Sequence, residues 1–168
     1  MNDISIEEKE IKHFPTQKEV RSKILEFENK LREVPDAMVG DCFPLKHTFV
    51  DGAYVREITM PKGALLTSKI HKVCHPYFIL KGEVSVLTDK GVERLKAPYS
   101  GVTQAGTKRV LYIHEETVWT TVHVTKKKNL KNIEKEIIAN SFEELPDESE
   151  EIKMVNFIKD VSKEKENL

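Results

Sequence analysis

The chain has 168 residues, 39% of them hydrophobic and 33% charged, with a formal net charge of −1. That length fits one domain with a sizeable core and is too short for two ordinary ones. The near-neutral balance argues against a general nucleic-acid binder, which carries a basic excess, and no apolar run approaches the ~18 residues of a membrane span.

Residues 1–15 are polar, acidic at Asp3, Glu7 and Glu8, and without the apolar segment of a signal peptide; a flexible N-terminus is expected. Thr16-Gln17-Lys18-Glu19 reads as a capping box, a hydroxyl at the N-cap with a Glu three residues on. Val20, Ile24, Leu25, Phe27 and Leu31 follow at helical spacing, so a helix is predicted over 17–33, stopped by Pro35. With its linker it fills 16–45 and is expected to pack outside the main domain or on a partner subunit.

From about His47 the texture changes to short strands, and the main domain is placed at 46–125, its barrel spanning roughly Phe49 to Val124. Strand-like runs are Tyr54–Met60, Tyr77–Leu80, Glu83–Thr88, Val92–Leu95, Arg109–His114 and Val118–Thr125. Lys81-Gly82 and Asp89-Lys90-Gly91 separate them with hairpin-compatible residues. Short strands at this spacing indicate an all-β sandwich or barrel. The chain then returns to helix over 126–168. Leu130, Ile133, Ile137 and Ile138 make a stripe across 129–139, and Pro146 opens a last acidic helix with a charged tail. Two cysteines, Cys42 and Cys74, without a Cys-x-x-Cys pair fit a reducing interior. The expectation is a soluble, cytoplasmic protein.

Gly63, then five residues, Lys69-Ile70-His71, three residues, His75, six residues and Gly82 reproduce the spacing of the first cupin motif. Lys69 stands where that family has its first His, and His75 where it has Glu. Gln104-Ala105-Gly106-Thr107-Lys108-Arg109 fits the frame of the second motif, with Arg109 at the His position. About half the chain therefore resembles the cupin superfamily. The resemblance implies a mostly β fold, a single double-stranded β-helix or jelly-roll barrel with flanking N- and C-terminal helices. Gly52–Ile58, Gly106–Val110 and Val118–His123 also resemble a group of small cupins encoded by bacteriophages, which would place the protein in a host cytoplasm.

A metal inside such a barrel needs three or four N/O side chains converging on it, and two His plus a third ligand suffice for Fe, Mn, Ni or Zn. His71 and His75 come from the first motif. A hairpin turning at Glu116 would set residue 109 opposite residue 123, with Cβ atoms roughly 5 Å apart, and bring His123 in as the third ligand beside inward-facing Trp119 and Thr121. His13, His47 and His114 lack partner spacing and read as surface or loop residues. Cys74 reads as a packed, reduced thiol.

Lys69 and Arg109 put cations where ligands are usual, which would favour a carboxylate or phosphate over a metal. Pairing at the rim with Glu83 or Glu93 is the plain alternative. Tyr54, Tyr77, Phe78, Tyr112 and Trp119 could wall such a pocket. The candidate ligand-binding set is Lys69, Arg109, Tyr77 and Trp119; the candidate metal set is His71, His75 and His123. The leading function is capture of a small molecule, such as an anionic metabolite or, in anti-defence sequestration, a host signalling nucleotide. A metal-dependent dioxygenase or isomerase is the second reading, although the missing Glu and the Arg at the second-motif His count against it. A structural or assembly protein is the third. A homo-oligomer, dimer or higher, is expected, because barrels usually cover their open strand edges.

Overall fold

The computed structural model describes residues 16–88 and 91–145. The flexible N-terminus and the last acidic helix expected from the sequence lie outside the described residues. So do Asp89 and Lys90.

Helix α1 (Gln17–Glu33) starts at the capping box: Glu19 N–H donates to Thr16 Oγ1 at 3.3 Å, and Thr16 N–H donates to Glu19 Oε2 at 2.6 Å. Val34 is already extended, as the residue before a proline prefers. The helix packs on the barrel of its own chain. Ile24 is 2% exposed, and Glu28 accepts from Thr67 Oγ1 at 2.7 Å and Lys108 Nζ at 2.9 Å.

Among the described residues nine strands follow: β1 Leu45–Val50, β2 Ala53–Met60, β3 Leu65–Thr67, β4 Ile70–His71, β5 His75–Thr88, β6 Gly91–Lys96, β7 Tyr99–Thr103, β8 Val110–Val124 and, after helix α2 (Leu130–Ile137), β9 Ile138–Ala139. A 3-10 turn, Phe142–Glu144, ends the described chain. The fold is mostly β and jelly-roll-like, as expected. Among the described residues no helix is long and apolar enough to cross a membrane.

Two long strands build the barrel. The first half of β5 lies between β7 and the second half of β8, and its second half lies between β6 and the first half of β8. β8 likewise takes β3 on its first half and β2 on its second. Each long strand thus serves both walls. Register shifts around Lys81 and Glu83 mark the corner, where bulges let a strand bend. Met60, Tyr77, Ile79 and Trp119 from one wall share a core with Val84, Val86, Leu95, Leu111 and Ile113 from the other. One core therefore fills the space between the walls.

This arrangement corrects two readings. No hairpin turns at Glu116; residues 110–124 are one continuous strand. Lys81-Gly82 separates nothing either, because β5 runs through it. A glycine and a short charged cluster mark a corner here, where a bulged strand bends without reversing. α2 closes one end: Ile133 and Ile137 pack with Tyr54 in a second core, and β9 pairs with β4 so that His71 lies opposite Ile138.

Candidate metal centre and adjoining pocket

Three elements bring three imidazoles together. β5 and β8 pair with Tyr77 opposite Thr121. Two residues further along each strand, on the same faces, stand His75 and His123, their ring centroids 4.2 Å apart. β9 pins β4, and its His71 ring lies 4.3 Å from His75 and 5.7 Å from His123. One ligating nitrogen from each ring falls within 4.8 Å of the others. His123 thus reaches this cluster through the pairing of two long strands, and not through the hairpin expected from the sequence. Arg109, the residue before β8, is at the opposite end of that strand from His123.

The hydrogen bonds leave one lone pair free on two of the rings. His75 Nδ1 faces the Val73 carbonyl at 3.2 Å; a carbonyl only accepts, so Nδ1 carries the proton and Nε2 is bare. His123 Nε2 faces Thr121 Oγ1 at 3.2 Å, while that hydroxyl donates to the Arg56 carbonyl at 3.5 Å. With the hydroxyl turned to that carbonyl, Nε2–H donates and Nδ1 is bare. Those two bare atoms, together with His71 Nδ1, are buried and without a hydrogen-bond partner. Buried polar atoms are ordinarily satisfied.

All three rings are neutral near pH 7. Burial, followed by the charges of His75, His123 and nearby arginines, pushes His71 down to about 2. Burial and then His75 push His123 down to about 4. Burial, aided by Arg109, lowers His75 against its bond to Val73.

The four proposed ligand residues divide. Lys69 is on the outside, 3.0 Å from Glu134 and 3.6 Å from Asp41; it is a rim cation with acidic partners, though not Glu83 or Glu93. Tyr77 and Trp119 are buried and stacked at 4.5 Å. The Arg109 guanidinium carbon lies 5.3 Å from the Tyr77 ring centre and 5.7 Å from that of Trp119, and Nη2 donates to Thr103 Oγ1 at 2.9 Å. Beside Arg109 a pocket of about 200 Å³ opens, lined among others by Tyr77, Val86, Leu95, Tyr99 and Gln104. Phe78 and Tyr112, expected in the wall, are instead exposed outer-face residues.

Cys74 is exposed and donates to Gln104 Oε1 at 3.1 Å, so it is not a packed thiol. His47 and His114 sit on strands, bonded to Tyr54 and Ser85 respectively. Sequence reasoning missed Thr103 and Tyr99 because it missed β7. Pro98 followed by Tyr-Ser-Gly-Val-Thr was the available signal, blurred by the glycine within it. Gly101 is needed there, since a Cβ would lie 2.6 Å from the Tyr77 hydroxyl.

No family model and no curated protein matches the chain. Solved structures do. A cupin superfamily protein from Desulfitobacterium hafniense is 11% identical at a TM-score of 0.43, covering 52% of this chain and 81% of its own. A cupin domain from Bordetella pertussis is 16% identical at 0.41, covering 52% and 98%. An acetylacetone dioxygenase from Acinetobacter johnsonii is 18% identical at 0.43, covering 54% and 65%.

Proposed function

We propose that this chain is a cupin-type binding protein that holds a divalent transition-metal ion on His71, His75 and His123 and takes a small molecule into the pocket beside Arg109. The supporting observation is the convergence of three neutral imidazoles, each with a buried nitrogen that no protein group satisfies. Neutral imidazole suits Zn, Fe and Ni. The Val73 carbonyl and the Thr121 hydroxyl fix two of the rings, as partners behind metal ligands usually do. Three protein ligands leave room for an exogenous one, and such an ion supplies Lewis acidity to whatever binds there.

Binding is favoured over catalysis because, among the described residues, no carboxylate joins the histidine cluster, and Arg109 stands at the His position of the second motif. The phage resemblance rests on residues 52–58, 106–110 and 118–123 alone.

Elemental analysis of the full chain, purified without affinity tag or chelator, tests this reading. Near-stoichiometric metal is expected, with affinity falling by about tenfold or more in His75→Ala and His123→Ala. Metal content near zero in the wild type would overturn it.

A further inference from the structure

Two adjacent buried cations are treated differently by this fold. Lys108 is 8% exposed and meets the Glu28 carboxylate at 2.9 Å. Arg109 is 7% exposed, yet among the described residues its guanidinium has only the Thr103 hydroxyl and the two ring faces. Among the described residues no carboxylate lies within ion-pair distance of it. A guanidinium has five N–H donors in a fork that fits a carboxylate, and a charge is seldom buried without a counter-ion. The Arg109 side chain also lines the pocket. Beyond it the walls are apolar at Val86 and Leu95 and phenolic at Tyr77 and Tyr99, with exposed Glu93 as the acid among the lining groups.

We propose that this pocket binds a small monocarboxylic acid, its carboxylate on the Arg109 fork and its apolar body between Val86, Leu95 and the tyrosines. The assignment rests on the reading of this pocket as the ligand site, and not on the metal. A volume of about 200 Å³ lies below the ~300–1,000 Å³ of pockets that take drug-sized ligands, which favours a small acid over a nucleotide. Glu93 repels a second carboxylate, so a dicarboxylate of similar size binds less well.

The test titrates the full chain, chelator-treated and zinc-reloaded in parallel, with benzoate, butyrate, benzamide and terephthalate, following amide NMR shifts. Benzoate or butyrate is expected to bind saturably, with benzamide and terephthalate weaker by about tenfold or more. Arg109→Gln is expected to weaken the acid by a similar factor, and Arg109→Lys by part of it, since an ammonium lacks the fork. Glu93→Gln is expected to narrow the gap between terephthalate and benzoate. Benzamide binding as tightly as benzoate, benzoate affinity retained in Arg109→Gln, or no saturable binding of either acid would overturn the proposal. The wild-type comparison of benzoate with benzamide decides it even where Arg109→Gln fails to fold. Acid binding in a chain that retains no metal refutes only the metal reading; metal without acid binding refutes only this one.

Discussion

Thr121 does two things with one oxygen: it donates to the Arg56 carbonyl and accepts from His123 Nε2–H. Replacing it with Val keeps the volume and removes the acceptor, so the His123 ring loses what sets its tautomer. We expect Thr121→Val to remain folded and to bind metal about tenfold more weakly, with Thr121→Ser restoring affinity; an unchanged titration would remove Thr121 from the site. Gly82 is the residue at which backbone conformation matters most. Its φ is +89°, and a Cβ there would lie 2.6 Å from Thr117 Oγ1 and still closer to the Glu116 carbonyl. Gly82→Ala should cost about 2–4 kcal/mol in a urea titration, because strain and collision add at a corner that cannot yield. His71, His75 and Gly82 were readable from motif spacing, since the motif fixes where a strand enters the barrel. The direction of Lys69 was not. Spacing cannot reveal that Glu134, 65 residues away, waits outside for its ammonium.

Helix α1 was legible from end to end because capping chemistry and 3.6-residue periodicity are local. Its attachment was invisible, being made of single contacts between distant segments. Glu28 is the latch. Its partial burial would raise its pKa, but hydrogen bonds from Thr67 and Lys108 outweigh that and hold the carboxyl below its ordinary 4.5. A carboxylate depressed in the folded state stabilises fully above its unfolded value, and the gain is lost as pH falls through the folded one. Glu28→Gln should therefore cost about 1–3 kcal/mol at neutral pH, chiefly by leaving the buried Lys108 ammonium without its counter-charge. The gap to wild type should close well below pH 4.5; urea midpoints that differ equally at both pH values would contradict the latch. The two long strands were misread for the opposite reason. Each looks like two short strands around polar residues, because the corner of a barrel exposes Lys81, Glu115 and Glu116 much as a hairpin tip would. The period-2 pattern of Trp119, Thr121 and His123 survives that error, since it depends on the strand they share.

At the scale of the whole molecule, the histidine cluster sits between the barrel, to which β5 and β8 belong, and the closing unit of β4, β9 and α2. An ion held there ties the two together, so binding and folding are linked. A ligand that binds only the folded chain at one hundred times its Kd adds about 2.7 kcal/mol. For a chain of this size that corresponds to a rise of about 5–10 °C in Tm. Acid works against it in the metal-free protein. His123 is depressed to about 4 and His71 to about 2 from an ordinary 6.5. The unfolded chain therefore takes up protons below pH 6.5 that the folded chain refuses, and stability falls as pH drops toward 4 and continues to fall below it. Calorimetry of chelator-treated protein should show Tm constant above about pH 7 and declining steadily below 6.5. Zinc should raise Tm at neutral pH in proportion to the logarithm of its concentration and lose its effect as the imidazoles protonate. In His123→Ala the zinc-dependent rise should largely vanish and the acid decline become shallower, because one proton-refusing group is gone. A metal-free Tm that does not change between pH 7 and 4 would mean that these rings are not held neutral by burial.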